Sequence, residues 1–468
     1  MKTINLFRKV LSLVLCLCML ASFASCGKSE DSDDGDGKVV AATDDSVVDL
    51  NGYEFTIASS FLLDKPVASE ITDAEQIFEE IRHKVEKDYN CKITILPVEN
   101  SVENVRSKIM AGEKIADLID VEGYNLIQMA RGGYIVPLES VKGINLSDPR
   151  WIPGYTALSE FNGQHYAANF MRPAEARICL IYNRDLLKKY GVKEDPQDLV
   201  AEKKWTFEKF REMCKACTSD DNGDGKTDTY GINLGLSQLF GISMISANGS
   251  SLVKTVDGVA KENFTDPKAL TALNFVYDLI NKDKSVRYGG DGIHPSTEKD
   301  AMADFVAGCS AFYFCETWSI NQTLKPMAGD MNYGVLPIPM GPDATDYVSP
   351  SENARSFGIT STNKDLDKTV TIFNALARYT EKYDVEADWW EYDVKMDYFR
   401  ADDDKSVEIY MMLIDKATVD LGVGVTELWT DFKENVVGDT CLKNKGTPAS
   451  KIQSIAGTYQ SSIDAIYN

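Results

Sequence analysis

Apolar and polar positions follow two different periods early in the chain. Residues 53–59 alternate in the manner of a half-buried strand, and apolar residues then recur at helical spacing from 74 to 85. A second strand pattern at 91–98, a helical pattern at 101–110 and a short buried strand at 117–121 follow. This β-α-β-α-β order predicts a parallel sheet with helices on both faces.

Ligands of such sheets bind beyond the carboxyl ends of the strands. We therefore expect the loops at 59–60, 99–100 and 122–124 to lie together on one rim of the sheet.

The alternation of strands and helices continues in the rest of the chain. Strand patterns lie at 178–182, 310–314, 333–338 and 357–360, and helical patterns at 186–190, 207–217, 269–282, 297–306 and 368–379. The last hundred residues are mainly helical in pattern. Because 468 residues exceed the size at which a single hydrophobic core usually stops growing, we expect an α/β protein with two domains.

The first 26 residues have the pattern of an export signal. Lys2, Arg8 and Lys9 precede an apolar run at 10–20, and small residues lead up to Cys26. This arrangement resembles the lipobox of bacterial lipoproteins, in which the cysteine is acylated and becomes the new N-terminus. We expect a lipoprotein signal peptide at 1–25 and lipidation of Cys26. An ordinary signal peptide that is cut nearby is the alternative.

Residues 26–49 are rich in Asp, Ser, Gly and Lys and predict a flexible tether. Two acyl chains on Cys26 would supply a stable anchor, which predicts a location on the outer face of the bacterial cytoplasmic membrane. No later apolar run has the length of a transmembrane helix, so the lipid is the one membrane contact that the sequence predicts.

The charge balance narrows the choice of partners. The formal net charge of −23 becomes −26 when the three cations of the signal are removed. An acidic protein of this kind is a poor partner for nucleic acid or for an anionic lipid surface, and neutral or cationic ligands remain.

Seven cysteines follow Cys26, and an odd number cannot form a complete disulfide framework. Several of them have apolar neighbours, as Cys179 does, which is typical of cysteines packed in a core. Cys214 and Cys217 form a CxxC pair on a helical pattern, without a second pair at zinc-site spacing. We therefore expect core cysteines rather than a metal or redox site.

One acidic stretch has the spacing of an EF-hand-type calcium loop. Oxygen ligands recur at alternate positions, Gly225 permits the turn, and Gly231 stands where a bidentate Glu is usual. We expect a structural Ca2+ here, and an ordinary acidic turn is the alternative. The expected ligands are Asp220, Asn222, Asp224, the backbone carbonyl of Lys226, and Asp228.

Motifs of common enzyme classes are missing from the sequence. The histidines His83, His165 and His294 show no HExxH spacing, and neither a GxSxG motif nor a P-loop occurs. Carboxylates are so numerous that no glycosidase pair can be singled out. The sequence thus predicts no catalytic residues.

Several motifs recur together along the mature chain. They are 117–124 followed by 132–138, 162–167 leading into 173–187, 204–210, and 311–318 followed by 333–339. In order and spacing they resemble the family 1 extracellular solute-binding proteins of ABC importers, which include maltose-type sugar receptors. The resemblance implies two α/β lobes that close on a ligand about a hinge, as in periplasmic binding proteins of type II.

The implied lobes are discontinuous in sequence. We expect a first lobe at 50–170 together with about 341–380, and a second lobe at 171–340 together with about 381–468, which forms a helical C-terminal part. Crossing strands are expected near 170–177 and 335–339.

A sugar site needs aromatic rings for the C–H faces of the sugar and paired polar groups for its hydroxyls. Trp318 matches a region where the family places a stacking tryptophan, and Glu175 matches an acidic contact of the maltose-type branch. Core packing of Trp318 and a hinge salt bridge of Glu175 are the alternatives. The candidate ligand contacts are Tyr124, Asn125, Asn169, Arg172, Glu175, Glu316, Trp318, Arg355 and Trp429.

The sequence thus predicts a lipid-anchored, monomeric substrate-binding protein of an ABC importer. It would capture a carbohydrate, by preference an oligosaccharide, and deliver it to permease subunits without altering it. The alternatives are a receptor for a peptide or a polyamine, and a surface glycan hydrolase.

Overall fold

The computed structural model describes residues 46–59, 73–97, 102–171, 178–289, 297–351, 355–387, 389–400 and 402–468. The export signal, nearly all of the tether, Cys26, Arg172 and Glu175 lie outside these ranges.

The strands are numbered in chain order over the described residues. They are β1 (Tyr53–Ser59), β2 (Cys91–Pro97), β3 (Leu118–Glu122), β4 (Glu160–Phe161), β5 (Gln164–His165), β6 (Ile178–Asn183), β7 (Tyr230–Leu234), β8 (Val253–Val256), β9 (Val259–Glu262), β10 (Val286–Tyr288), β11 (Ser310–Glu316), β12 (Tyr333–Leu336), β13 (Ser349–Ser351), β14 (Arg355–Ile359) and β15 (Ala417–Val419).

The α-helices are numbered in the same way. They are α1 (Asp73–Tyr89), α2 (Val102–Met110), α3 (Gly123–Arg131), α4 (Pro153–Ala157), α5 (Arg184–Lys189), α6 (Pro196–Ala201), α7 (Phe207–Cys217), α8 (Ser237–Ala247), α9 (Pro267–Asn281), α10 (Glu298–Val306), α11 (Lys325–Ala328), α12 (Leu366–Ala387), α13 (Trp389–Tyr398), α14 (Asp404–Asp415), α15 (Thr426–Asp431), α16 (Pro448–Ile455) and α17 (Gln460–Tyr467). Tighter turns lie at Leu138–Ser140 and Leu421–Gly424, and wider helical segments at Ile320–Leu324 and Phe432–Leu442.

The first sheet has the strand order β14-β3-β1-β2. Strand β1 is parallel to β2 and β3, which confirms the parallel arrangement predicted from the early alternation. Strand β14 joins the edge in antiparallel orientation, although it comes more than 200 residues after β3. Phe55, Leu118 and Phe357 are buried in one core with residues of α1 and α12, so this lobe closes only when the late strand has been added.

The second sheet has the order β10-β7-β11-β6-β12. Strand β11 is parallel to β7 and antiparallel to β6, which also pairs with β12. Every residue of β6 is buried, as expected for an apolar run at the centre of a sheet covered on both faces. The large rings of Trp205, Phe210 and Phe312 pack together beneath it.

The chain passes between the two lobes more than once, and it returns to the second core after α12. Residues 172–177, the first predicted crossing, lie outside the described residues. The prediction of a second crossing near 335–339 was wrong, because β12 belongs to the second sheet and Ile338 to its core. The chain passes to the first sheet between Tyr347, which is still in the second core, and Arg355. The exact lobe limits remain a prediction.

The two lobes touch at places far from each other in sequence. Ile127 on α3 packs against the second core and against a smaller cluster on the first sheet that contains Ile119 and Val121. The Arg131 guanidinium donates a hydrogen bond to the carbonyl of Ala465 (3.1 Å). Trp151 belongs to the first core, whereas Ile152, the next residue, belongs to the second. These contacts couple α3 and α4 to the helical C-terminal part of the chain.

None of the described helices combines the length and the apolar content that crossing a membrane requires.

Candidate functional site

Polar side chains gather at the carboxyl ends of β1 and β3, where the sequence predicted a rim. The Ser59 hydroxyl donates to a carboxylate oxygen of Asp120 (2.8 Å), and both residues are buried. Glu122, at the end of β3, stands opposite Arg355 in the register with β14. A guanidinium nitrogen of Arg355 lies 3.3 Å from a carboxylate oxygen of Glu122, and both side chains keep part of their surface in solvent. We call these four residues the first half-site.

Asn169 ties the first half-site to the incoming chain. Its side-chain amide donates to the backbone carbonyl of Arg355 (2.8 Å), and its amide oxygen accepts from the N–H of Met171 (2.7 Å). The predicted contacts Asn169 and Arg355 are therefore neighbours. Because Asn169 is buried and both groups of its amide bond the backbone, its main effect is to position the chain at the crossing.

A second polar cluster lies at the carboxyl end of β11. The Trp318 indole N–H donates to a carboxylate oxygen of Glu316 (2.6 Å), and both side chains are partly buried. The Ser319 hydroxyl donates to a carboxylate oxygen of Glu298, the first residue of α10 (2.5 Å). Burial raises the pKa of Glu298; the hydrogen bond from Ser319 opposes this rise and the charge of Glu316 adds to it. We call Glu298, Glu316, Trp318 and Ser319 the second half-site.

The strand topology brings both half-sites to the junction between the sheets. Glu316 pairs with Ile178, the first described residue after the crossing that the sequence predicts near 170–177. Arg355 is the first residue of β14, directly after the chain has left the second lobe. Both clusters therefore lie where the chain passes from one sheet to the other. Such a junction is a common place for ligand sites in open α/β folds.

The loop expected at 122–124 is not a loop. Glu122 has extended backbone geometry and α3 begins at the next residue, Gly123. The expectation was wrong because a strand can pass directly into a helix when one extended residue serves as the N-cap. Tyr124 and Asn125 consequently lie in the first turn of α3; Asn125 is partly buried, and the side chain of Tyr124 lies outside the description.

Trp429 lies on an element that belongs to neither half-site. It lies on α15, is partly buried against the second core, and has the Lys433 ammonium 5.8 Å from its ring centroid. Its role as a ligand contact stays a prediction, as do those of Arg172 and Glu175.

Sequence reasoning did not name Ser59, Asp120, Glu122, Glu298 or Ser319 as ligand contacts. Glu122 lies in the recognised motif 117–124, and its place at the end of a strand was the available signal. Glu298 follows Thr297, whose hydroxyl caps α10, so in sequence it is indistinguishable from an ordinary first-turn acid.

The predicted calcium loop is closed at its base by a bridge between Ser219 and Thr229. The Asp220 carboxylate accepts from the N–H groups of Gly223 (2.7 Å) and Gly225 (2.8 Å). Gly223 and Gly225 both have positive φ, which agrees with the turn that the glycines predict.

The other predicted ligands also contact the loop itself. Asp228 accepts from the N–H of Asp221 (2.8 Å) and from the side-chain amide of Asn222 (3.1 Å), and Asp224 accepts from the N–H of Lys226 (2.8 Å). No three His, Cys, Asp or Glu side chains in the described part of the chain are arranged to hold a metal ion. The residues have oxygen donors suited to Ca2+, and calcium binding stays a prediction.

The chain matches the family model described as bacterial extracellular solute-binding protein over residues 68–379. No curated protein matches it.

Solved structures with the same fold cover most of the chain. The GacH receptor of Streptomyces glaucescens, solved unliganded and with acarbose, is 16% identical with a TM-score of 0.57 over 89% of this chain and 100% of its own. A cyclo/maltodextrin-binding protein complexed with maltotetraose is 15% identical with a TM-score of 0.61, covering 89% and 98%. UgpB from Mycobacterium tuberculosis in complex with glycerophosphocholine is 15% identical with a TM-score of 0.57, also covering 89% and 98%.

Proposed function

The chain belongs to the family of bacterial extracellular solute-binding proteins, and on that premise we propose that it captures a carbohydrate, by preference an oligosaccharide, between its two lobes. It would release the sugar unaltered to the permease subunits of an ABC importer. Neither catalysis nor ATP binding is part of this role.

The observation that carries the proposal is the composition of the two half-sites. Trp318 offers an indole face beside the carboxylate of Glu316, and Glu122 and Arg355 offer a carboxylate and a guanidinium on the other lobe. A pyranose presents apolar C–H faces and a ring of hydroxyls, which these groups match. Most polar groups of the two half-sites already have partners within the protein. Few of them are therefore left buried and unpaired, with the cost in free energy that this brings, when no ligand is bound.

A solute with a quaternary or primary ammonium is the second candidate. Glu316 places a carboxylate beside the Trp318 indole. Glu298, which bonds Ser319, adds a second negative charge that interacts with Glu316. Aromatic rings with nearby carboxylates attract organic cations. The structural neighbour UgpB was solved with glycerophosphocholine, so this fold has room for such a ligand.

The remaining features of the proposal concern attachment and assembly. We propose that acylated Cys26 holds a monomer at the outer face of the cytoplasmic membrane and that Ca2+ in the loop at 220–228 is structural. The lipobox-like sequence before Cys26 and the spacing of oxygen ligands in the loop support these points.

Calorimetric titration of the purified protein tests the function. The panel contains maltose-type and other oligosaccharides, a short peptide, spermidine, and glycerophosphocholine, and each mixture is afterwards examined by chromatography. Saturable binding of an oligosaccharide that is recovered intact supports the sugar receptor. Binding confined to spermidine or glycerophosphocholine, which carry ammonium groups, favours the second candidate. Shortened glycans after incubation would establish a hydrolase.

Variants at the second half-site locate the binding. Glu316→Gln keeps the size of the side chain and removes its charge, so we expect weaker binding of the ligand found in the panel. The matched control is Glu427→Gln on the exposed surface of α15, which should leave the affinity unchanged. Equal affinities of Glu316→Gln and the parent protein would exclude the second half-site from ligand contact.

A further inference from the structure

Two cysteines face each other across the centre of the second sheet. Cys179 on β6 and Cys315 on β11 are directly opposite in the antiparallel register, and their sulfur atoms are 3.9 Å apart. Both side chains are fully buried in the second core. The described cysteines are all free thiols in the structure.

The backbone of this pair already has the spacing of a disulfide. Directly opposed residues of antiparallel strands have Cα atoms roughly 4.5–5.5 Å apart and side chains on the same face. Disulfides use Cα separations of roughly 4.4–6.8 Å. Rotation of the two side chains therefore suffices to bring the sulfur atoms together. We propose that Cys179 and Cys315 form a disulfide in the exported protein.

The compartment supplies the chemistry that this bond needs. Members of the family act outside the cell, where disulfides persist. The oxidant is another disulfide, carried by a small thiol compound or by a thiol–disulfide exchange enzyme. One cysteine thiolate attacks it and the second displaces the mixed disulfide, so that two thiols lose two protons and two electrons while the oxidant becomes two thiols.

Burial determines when the bond forms. Burial and the neighbouring Cys179 thiol raise the pKa of Cys315 well above its ordinary value, so the folded pair has almost no reactive thiolate. Oxidation therefore takes place while the chain folds after export. Once formed, the same burial shields the bond from reductants.

The position of the bond gives it a role in the architecture. Ile178 precedes Cys179 and follows the crossing, and Glu316 of the second half-site follows Cys315. A bond between these positions fixes the start of β6 to the end of β11, beside the residues proposed to bind ligand. It also closes a segment of 136 residues, and long closed segments restrict the unfolded chain most.

Other buried cysteines serve as internal controls. Cys214 and Cys217 lie on one face of α7 in the same core, and Cys441 contacts the Thr440 hydroxyl and the carbonyl of Leu273. Burial raises the pKa of Cys217 and of Cys441 to about 12, so these thiols are as inert in the folded state as Cys315.

The test uses the full chain exported into the oxidising periplasm of a bacterial host. The protein is denatured in N-ethylmaleimide without reductant, digested and examined by mass spectrometry. We expect a linked peptide pair that contains Cys179 and Cys315 and separates on reduction, with maleimide on Cys91, Cys214, Cys217, Cys309 and Cys441. Maleimide on both Cys179 and Cys315, or a link from either to another cysteine, would overturn the proposal.

Thermal unfolding with and without reductant provides a second readout. We expect reductant to lower the melting temperature of the parent protein by an amount of the order of 5 °C. The Cys179→Ala/Cys315→Ala protein should show no such change, whereas Cys214→Ala/Cys217→Ala should keep it. A reductant effect that persists without Cys179 and Cys315 contradicts the assignment. Should the first double variant fail to fold, peptide mapping of the parent protein decides.

Discussion

Trp318 is the residue whose chemistry most directly distinguishes a sugar site from a packed core. Its ring is partly buried, and its N–H is already bonded to Glu316. We expect Trp318→Ala to weaken binding by about tenfold or more, because stacking contributes roughly 1–2 kcal/mol beyond simple contact. Isothermal titration calorimetry with the ligand found in the panel measures the change.

Two further variants separate stacking from loss of structure. Trp318→Phe keeps a ring and removes the bond to Glu316, so its affinity should fall between those of the parent and Trp318→Ala. Tyr277→Phe, on α9, should bind as the parent does, because its hydroxyl bonds Asn444 and not a residue of either half-site. An unchanged affinity of Trp318→Ala, with an unchanged melting temperature, would assign Trp318 to the core.

Asp420 makes a contribution to stability that depends on pH. Its carboxylate accepts hydrogen bonds from the N–H groups of Leu252 (2.5 Å), Val253 (3.2 Å) and Gly422 (2.8 Å), and so fixes the turn Leu421–Gly424 to β8. Burial raises the pKa of Asp420 to about 6, against the lowering effect of these bonds. Because the folded value exceeds the ordinary 3.8, the folded state holds the proton more tightly.

The stability that this proton provides is complete below the ordinary pKa and is lost as the pH rises to about 6. Relative to Asp420→Asn, the parent protein should lose roughly 2–3 kcal/mol of unfolding free energy between pH 4 and pH 7. Denaturation at a series of pH values measures this difference. The control Asp439→Asn should show a pH dependence of the opposite sign. The hydrogen bond from Lys443 lowers the pKa of Asp439, so the stability that Asp439 contributes is lost as the pH falls. A pH-independent difference for Asp420→Asn would contradict the account.

Site residues next to predicted strands could be recognised from the sequence, whereas site residues on other elements could not. Glu316, Trp318 and Arg355 were candidates because they lie on predicted rim loops or crossings, and the structure places them at the junction of the sheets. Glu298 reaches the same cluster from a helix, and a hydrogen bond to Ser319, 21 positions away, carries no local signal.

Local sequence patterns predicted the existence and the type of helices and strands better than they predicted where each one begins and ends. The helix 207–217, with Thr206 as its cap, has the predicted bounds, because a capping hydroxyl and an apolar stripe mark both ends. Strand β14 was predicted as an element, but its place beside β3 depends on contacts distant in sequence. The helix α3 was missed because residues 122–124 were expected to form a loop after β3.

The calcium binding predicted for the loop at 220–228 can be tested on the whole protein independently of ligand binding. If Ca2+ binds the folded state, a concentration of 100 times Kd stabilises it by about 2.7 kcal/mol. We therefore expect millimolar Ca2+ to raise the melting temperature of a demetallated sample. Asp224→Asn should abolish the rise, and Asp257→Asn, on an exposed turn, should keep it. If Ca2+ does not shift the melting temperature of the parent protein, the calcium prediction is wrong, and the loop is an acidic turn stabilised by its own backbone hydrogen bonds.

In the whole molecule, the contacts between the lobes are as specific as those within them. Gly154 on α4 permits a close approach to α14, since a Cβ there would lie 2.7 Å from the carbonyl oxygen of Ile414. On α3, Ile127 packs against the second core, and Arg131 donates to the carbonyl of Ala465 on α17. Two domains were expected from the length of the chain. The contacts between the lobes could not be derived from local patterns, because they join residues that are far apart in sequence.

The central claim is that two lobes close on a carbohydrate without altering it. Small-angle X-ray scattering of the protein, with and without a saturating amount of the oligosaccharide that binds in calorimetry, tests it most directly. The account predicts a smaller radius of gyration in the presence of the sugar, and recovery of the intact sugar from the same sample. Saturated binding with identical scattering curves, or a cleaved glycan in the recovered sample, would contradict it.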